Sequence, residues 1–579
     1  MPAEHSPALP RTILILGGGI HGAAVARELV LNGVSVLLVD IGDLATGATS
    51  KSSRLIHGGL RYLEYGDVRL VRESLIERGR LLKLAPQFVR PLRLFVPIRQ
   101  RWSGLLRSAL GFFKLARTRL GRRMMGRSER RAPRGFWPVR IGLWMYDLFS
   151  WGDGLPKSRG SRLATGSHPQ VDATRYRWLC EYSDAQMRYP ERCVIALLAD
   201  AERTARERGV TCQIIPHATI RWQGSAIQIT NRASPLIAIQ PEMIVNCSGA
   251  WGDLTLKGID VGTTPLFAGT KGSHFVTRHP KLKAMLGDQG VYAETGDRRL
   301  AFVLPFGDAI LVGTTDERWS GPPNQAVASD EELAYLLNVV DNVFGLQLTR
   351  ADIESHYSGV RPLPRTTDTS NAAISREHSL AEHRLHGIPV LTLVGGKLTT
   401  FRSVARQIAD RVLKRLGQPR TATTDHRTLI GGEEFPRDPA AWPPLWQQWA
   451  AEFDTTVNEV AALWPLYGMH TKIILAQVAS QPRQSITDSP LTRRTVRWVI
   501  DHEWVTTLDD LIERRLMLIF APNLSRSTLH DLAECLVETG RLSQDALSAA
   551  IEATAERLRL HYGRNLASAE RGDVLIGRI

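Results

Sequence analysis

Thr12–Asp40 reads TILILGGGIHGAAVARELVLNGVSVLLVD. An apolar run stops at three glycines, an amphipathic stretch follows, and a second apolar run ends in an acid. Gly17, Gly19 and Gly22 fall in G-x-G-x-x-G spacing, with Gly18 inside the turn. The expected local structure is strand, tight turn, helix, strand. The glycines allow a sharp turn and close approach of backbone to a diphosphate, and the helix start offers free N–H groups and the positive end of its dipole. Asp40, eighteen residues after Gly22, suits the ribose hydroxyls. A lone glycine motif is weak, and an ordinary α/β turn is the bland reading. Here all four parts stand in order, which favours dinucleotide binding. The motif by itself does not separate FAD from NAD.

Two further strands end in the same way. EMIVNCSGAW, residues 242–251, closes on Ser248, Gly249 and Ala250. VLTLVGGKLTTFRSVARQIADRVLKRL, from Val390, runs into Gly395 and Gly396, then Lys397, Leu398, Thr399 and Thr400, then an amphipathic helix. Small residues at a strand end let a ligand approach the backbone. Glycines and hydroxyls at a helix start make an anion- or carbonyl-binding end. Three such ends imply one discontinuous nucleotide domain, assigned to residues 11–90, 160–262 and 355–425. Residues 91–159 and 263–354 then form a second domain that caps it. From about Pro436 the texture becomes Trp-rich and helical, so residues 436–579 read as a separate helical domain.

A chain of 579 residues exceeds one hydrophobic core. Its five cysteines form no CxxC pair and are odd in number, which argues against a disulfide framework or a zinc site and fits a reducing compartment. No metal is expected. The N-terminal MPAEHSPALP lacks a basic leader, and no apolar run is long enough to span a bilayer. The expectation is a protein that is soluble or lies on a membrane surface. The net charge of +15 is concentrated: thirteen Lys or Arg and one acid, Glu129, lie between Arg99 and Arg140, leaving +3 for the rest. Such a block implies an anionic partner for that segment.

KSSRLIHGGLRYLE, residues 51–64, packs hydroxyls, cations, a His and a glycine pair into one short ribbon. Together with GGGIHGA, IGLWMYD (141–147), EYSD (181–184), VNCSGAW (245–251), KGSH (271–274), VGTTD (312–316), YSGVRPL (357–363), ISR (374–376), GGKLTT (395–400) and DHEW (501–504), it resembles the FAD-dependent glycerol-3-phosphate dehydrogenases. These pieces run in order over most of the chain. The resemblance implies an α/β flavin-binding domain, Rossmann-like and of the glutathione-reductase/D-amino-acid-oxidase type, with an α+β substrate domain and an α-helical C-terminal domain. It implies oxidation of sn-glycerol 3-phosphate to dihydroxyacetone phosphate, with hydride passing to flavin N5.

Each chemical need points to a residue type. A dianionic phosphate calls for guanidinium forks, and the resemblance assigns this role to Arg61, Arg361 and Arg376. The proton acceptor for the alcohol should be a His poised near neutral pH. His57 in LIHGG is the first choice; His274 in KGSH is second, as an orienter of substrate. Tyr62 suits a hydrogen bond to substrate, with interdomain packing as its alternative. Lys397 is expected at the flavin's pyrimidine edge, where reduction places negative charge, with Leu398, Thr399 and Thr400 beside it. Thr49, Ser50 and Ser53 suit diphosphate or flavin-edge contacts.

Two departures from the family pattern stand out. His21 replaces the Asn common in the first glycine turn, and AQMRYPERC follows EYSD where the family usually has two acids and an Arg. The link before IGLWMYD is also longer. Within it Trp102, Leu106, Ala109, Phe113, Ala116, Leu120 and Met124 share a helical face bordered by cations. Residues 102–125, inside the basic insertion 99–140, are therefore expected to touch an anionic membrane. The resulting reading is a dehydrogenase peripheral to the cytoplasmic face of the cell membrane, passing electrons to quinone. Nucleic acid is not an expected partner. An oxygen-using glycerol-3-phosphate oxidase, a related amine or amino-acid oxidase, and a catalytically weak membrane flavoprotein are the rivals. The sequence leaves the oligomeric state open, a homodimer included, and does not say whether FAD is covalently held.

Overall fold

The structure is a computed structural model that describes residues 12–63, 67–103, 134–150, 152–164, 169–223, 226–231, 236–294, 300–365 and 377–566. The chain divides into two compact units, Met1–Phe435 and Pro436–Ile579.

The first unit is built on two large sheets. The opening stretch forms the strand Thr12–Leu16, the helix Ile20–Leu31 and the strand Ser35–Val39, with the two strands parallel. Every residue of both strands is buried. That is why they read as unbroken apolar runs: a parallel strand covered on both faces has no polar side to alternate with. The six-stranded sheet runs in the order Ser379–Leu385, Ile388–Val394, Met243–Asn246, Thr12–Leu16, Ser35–Val39, Cys212–Ile215, parallel except for the edge hairpin 379–394. The three glycine-ended strands of the sequence are therefore neighbours in this sheet. Against the helix Ile20–Leu31 pack the helices Pro190–Arg208 and Phe401–Leu416. Arg27, on the first, donates to buried Asp200 on the second at 2.6 Å, and Arg427 joins the same carboxylate.

The ten-stranded sheet is mainly antiparallel. Its main path is Glu317–Arg318, Thr270–Thr277, Ala309–Gly313, Leu300–Phe306, Gly290–Glu294, Val89–Ile98, Trp178–Met187, Leu55–Ile56. Ser355–Arg361 pairs with Thr270–Thr277, and Arg159–Arg162 with Trp178–Met187. One face of this sheet meets the helix Asp330–Phe344 through Phe275, Val291, Val303, Val312, Leu336 and Val340. Strand side chains alternate between faces, so His274, Tyr292, Phe302 and Gly313 lie on the other. Trp178–Met187 and Ser355–Arg361 belong to this sheet, although the sequence bounds group them with the nucleotide segments. Each pairs along its length with a strand distant in sequence, and local pattern does not reveal such partners.

The second unit is helical, as expected. Its helices include Trp442–Glu452, Val457–Tyr467, Arg493–His502, Arg526–Glu538 and Leu547–Tyr562. Trp449 and Trp464 are buried in its core. Buried Glu459 accepts from Thr492 Oγ1 at 2.6 Å and Thr495 Oγ1 at 2.7 Å. The DHEW motif is structural: buried Arg515 donates to the carbonyls of Glu503 and Trp504.

The altered segment after EYSD finds a physical role here. Glu191, in RYPERC, stands in the first turn of the helix Pro190–Arg208 and forms a two-pronged pair with Arg54 of KSSR at 2.7 and 2.9 Å. Both side chains are 1% exposed. The segment thus supplies a carboxylate that anchors the opening ribbon. Removing one member of a buried pair strands the other charge. Arg54→Met should therefore destabilise the first unit by about 3–5 kcal/mol, and the Arg54→Met/Glu191→Leu double variant should recover most of the loss. Chemical denaturation followed by tryptophan fluorescence checks both. A double variant no more stable than the single one refutes the assignment.

Candidate functional site

The glycine turn is assembled by near-contact. A Cβ on Gly22 would lie 1.9 Å from the Gly17 carbonyl oxygen, and one on Gly17 would lie 2.7 Å from the Cys247 carbonyl oxygen. Helix and both strands can close only on glycine. The Asp40 carboxylate accepts from the amides of Gly18 at 2.7 Å and Gly42 at 2.9 Å. Burial pushes its pKa up to about 6, against the pull of those same amides. Thr49 Oγ1 accepts from the Ile20 amide at 3.1 Å, and Gly19 lies beside it. Gly249, with φ +60°, opens the turn after Met243–Asn246. Gly396, φ +100°, faces His21 across the turn, where Nε2 is buried and has no hydrogen-bond partner among the described residues. A cradle of glycines, a helix start whose N-cap residue is a glycine without a capping side chain, a carboxylate at the second strand's end and an orphaned buried nitrogen fit a dinucleotide.

Ser50 and Ser53 behave differently from the turn. The Ser50 hydroxyl donates to the carbonyls of Thr46 and Gly47. Ser53 Oγ lies 2.8 Å from His274 Nε2. The KSSR ribbon therefore runs from the glycine turn to the second sheet.

The second sheet contributes a row of residues directly opposite one another on adjacent strands: Tyr357, His274, Gly313, Phe302 and Tyr292. His274 stacks on Tyr357 with centroids 4.9 Å apart, and Tyr292 on Phe302 at 4.4 Å. Between the two stacks Gly313 has no side chain. A Cβ there would fall 2.1 Å from His274 Cδ2, so any other residue would displace that ring. His57 stands over Phe302, centroids 6.5 Å apart. Burial first, then the positive charges of Arg361 and Arg54, holds the His274 pKa well below the usual range, so its ring is neutral. Its Nδ1 is buried without a partner among the described residues.

Arg361 ends the strand Ser355–Arg361 and lays its guanidinium over Gly272, where a Cβ would sit 2.2 Å from Nη2. It donates to Thr314 Oγ1 at 2.7 Å and to Asp316 at 3.3 Å. Thr314 and Asp316, both in VGTTD, are site residues to which the sequence reading gave no role. The motif itself, polar residues directly after a buried strand, was the available signal.

The ribbon and the GGKLTT turn meet. Thr399 Oγ1 accepts from the His57 amide at 3.1 Å and lies 3.2 Å from its carbonyl. Lys397 Nζ donates to Ser74 Oγ at 2.6 Å and sits 4.7 Å from the centre of the Tyr62 ring. Leu398–Thr400 form a single turn that leads into the helix Phe401–Leu416. Beneath the Gly58 peptide lies a buried network that the sequence also left without a role. Tyr146 of IGLWMYD donates to Asp184 of EYSD at 2.7 Å and accepts from the Gly58 amide at 2.8 Å; Arg78 donates to Asp184 at 2.6 Å. Arg361, His274, His57, Tyr62 and Lys397 are thus brought to neighbouring positions on the ribbon, the second sheet and the turn. The Arg61 side chain and all of Arg376 lie outside the described residues.

The family model "FAD dependent oxidoreductase" matches residues 12–151 and 160–411, and the model "C-terminal domain of alpha-glycerophosphate oxidase" matches residues 422–547. A glycerol-3-phosphate dehydrogenase of Pseudomonas aeruginosa is 32% identical over 90% of this chain and 94% of its own. A D-erythritol 1-phosphate dehydrogenase of Brucella abortus is 29% identical over 87% of this chain and 93% of its own. The solved structure of a glycerol-3-phosphate dehydrogenase from Bacillus halodurans, complexed with FAD, superposes with a TM-score of 0.68 at 19% identity, covering 96% of this chain and 95% of that one. The last likeness bears on fold.

The Asp40 shift predicts a pH dependence. Its folded pKa, about 6, lies above the 3.8 of a free aspartate side chain, so the folded protein binds the proton more tightly than the unfolded chain. That contribution is present at pH below the unfolded value and is lost as pH rises through about 6. Nucleotide-free protein should gain stability relative to Asp40→Asn as pH falls from 7.5 to 5, read as the difference in denaturation midpoint. Parallel pH curves for the two proteins would contradict it.

Proposed function

The chain belongs to the family of FAD-dependent glycerol-3-phosphate dehydrogenases, and on that footing we propose that it oxidises the secondary hydroxyl of sn-glycerol 3-phosphate, giving dihydroxyacetone phosphate. The observation behind this reading is the face on which the His274 ring lies over Gly313, His57 lies over Phe302 and the Arg361 guanidinium lies over Gly272. FAD, when bound, would supply the hydride-accepting ring. The residues do the rest. Arg361, held by Thr314 and Asp316, grips the phosphate, for which a planar fork is suited. His57, fixed at its backbone by Thr399, accepts the hydroxyl proton. His274 orients the substrate instead, because its buried ring resists a positive charge. Arg61 and Arg376 are proposed to share the phosphate, Tyr62 to bond the substrate, and Lys397 to face the flavin's electron-accepting edge.

One relative is named for a different polyol phosphate, so a longer polyol phosphate is the second reading for the same machinery. Anaerobic mixing of the purified protein with glycerol 3-phosphate should bleach the flavin absorbance; bleaching by erythritol 1-phosphate alone would favour the second reading, and bleaching by neither would overturn both. Arg361→Ala should raise the KM for glycerol 3-phosphate at least tenfold while leaving flavin content unchanged. Equal impairment toward unphosphorylated glycerol would remove Arg361 from the phosphate site.

The electron acceptor in this proposal is a membrane quinone, and the protein works at a membrane surface. No helix among the described residues is long and apolar enough to cross a membrane. Of the expected contact segment 102–125, residues 104–125 lie outside the described residues. Its flank supports the reading. In the helix Phe136–Phe149, Ile141, Trp144 and Leu148 are 52%, 65% and 56% exposed and share one face at steps of three and four. Trp102 is exposed beside Trp137, with Arg101 over both rings. The Gly135 amide donates to the Ser103 carbonyl at 2.8 Å, so both ends of the basic segment stand at this helix. An apolar face bordered by cations suits an anionic headgroup layer. The Ile141→Ser/Trp144→Ser/Leu148→Ser variant should lose co-sedimentation with anionic phospholipid vesicles and keep its dye-linked turnover. Undiminished sedimentation would show that the helix is not the contact.

A further inference from the structure

We propose that the groove between the helices Val68–Leu84 and Phe401–Leu416 is a phosphate-binding site separate from the candidate substrate surface, with Arg69 and Arg72 as its ligands. The ligand chemistry is that of a phosphate or its esters, and the proposal does not depend on which alcohol is oxidised. The groove is a cavity of about 560 Å³ whose lining residues all belong to these two helices. Arg361, assigned above to the substrate's phosphate, stands instead on the second sheet. The lining follows from helical period. Arg69, Arg72, Glu73, Ile76 and Arg80 recur at steps of three and four along one face of the first helix, while Val71, Leu75 and Arg78 turn the other face inward.

Five arginines and two glutamates line the groove, and their charges do not balance. Glu77 accepts from Arg402 Nη2 at 2.6 Å and from Arg80 Nη1 at 2.7 Å. Asp425 accepts from Arg402 and, at 3.0 Å, from Arg406. These three arginines are committed to acids, and Glu73 accepts from Ser403 Oγ at 2.7 Å. Arg69 and Arg72 are exposed and have no ion pair among the described residues. Once Glu73, Glu77 and Asp425 are set against the five arginines, two positive charges are left over. One turn apart on the same helix, the Arg69 and Arg72 guanidiniums can reach a single ion. A phosphate monoester carries about −2 at neutral pH, and its oxygens match two planar forks. Val68 and Ile76, the latter 44% exposed, add an apolar strip beside the arginines, which suits the carbon chain of an ester.

The test reads the two arginines directly. Holoenzyme is treated with phenylglyoxal, which modifies free guanidiniums, with ionic strength held constant by chloride, and peptide mass spectrometry gives the rate at each arginine. The probes are inorganic phosphate and glycerophosphoglycerol, a lipid headgroup without its chains. A bound probe should slow modification of Arg69 and Arg72 about threefold at a concentration of twice its Kd. Arg483, exposed in the second unit, is the reference and should be unaffected. Protection by inorganic phosphate identifies a free phosphate as a source, and protection by glycerophosphoglycerol alone identifies a lipid headgroup. Protection by neither, or equal slowing at Arg483, would overturn the proposal. In Arg361→Ala the protection should persist; its loss would trace the effect to the substrate's phosphate and refute a separate site. Arg69→Gln should remove the protection of Arg72, and unchanged protection would show that the two do not share an ion.

Discussion

The first unit depends on one steric constraint: backbone must touch backbone where the first helix leaves the first strand. The 1.9 Å that a Cβ on Gly22 would leave to the Gly17 carbonyl is far inside van der Waals distance. Because that contact is made, the start of the helix Ile20–Leu31 points over the ends of three neighbouring strands. The loops from those ends then supply Asp40, Gly249 and the GGKLTT turn to one place. A diphosphate suits such a place because it finds amides and a helix dipole there without displacing side chains.

The second sheet applies the same device to side chains. Gly272 and Gly313 carry no side chain in an otherwise occupied surface, and the room this leaves is taken by the Arg361 guanidinium at one and by the His274 ring at the other. Alternation along the strands sends Phe275, Val291, Val303 and Val312 into the core. Their sequence neighbours His274, Tyr292, Phe302 and Gly313 are thereby left to the opposite face. The hydrophobic core and the candidate substrate surface are two sides of one pattern.

Buried polar networks join these surfaces. Arg54 with Glu191, Tyr146 with Asp184 and Arg78, and Arg402 with Glu77 each link segments more than thirty residues apart. The motifs IGLWMYD and EYSD supply members of the network under the Gly58 peptide, one residue from His57. A buried network of this kind is costly when a member is missing, which gives these residues a physical reason to be what they are without contact with a ligand. Glu191 answers the departure after EYSD in the same terms: the segment differs in pattern and still provides an acid to its arginine.

The sequence by itself determined what depends on local order. A glycine spacing needs only its own residues to make a turn, and unbroken apolar runs announce strands covered on both faces. The α/β nucleotide fold, the helical C-terminal unit and the glycine ends of three strands were legible on these grounds. Tertiary structure alone decided which strands pair at a distance, and so moved Trp178–Met187 and Ser355–Arg361 into the second sheet. It decided that Ser53 meets His274, that Thr399 holds His57, and that His21 reaches Gly396. Each of these is a contact between residues that local periodicity treats as independent. Register across a sheet is set by the packing of a whole face, and no short window of sequence contains it.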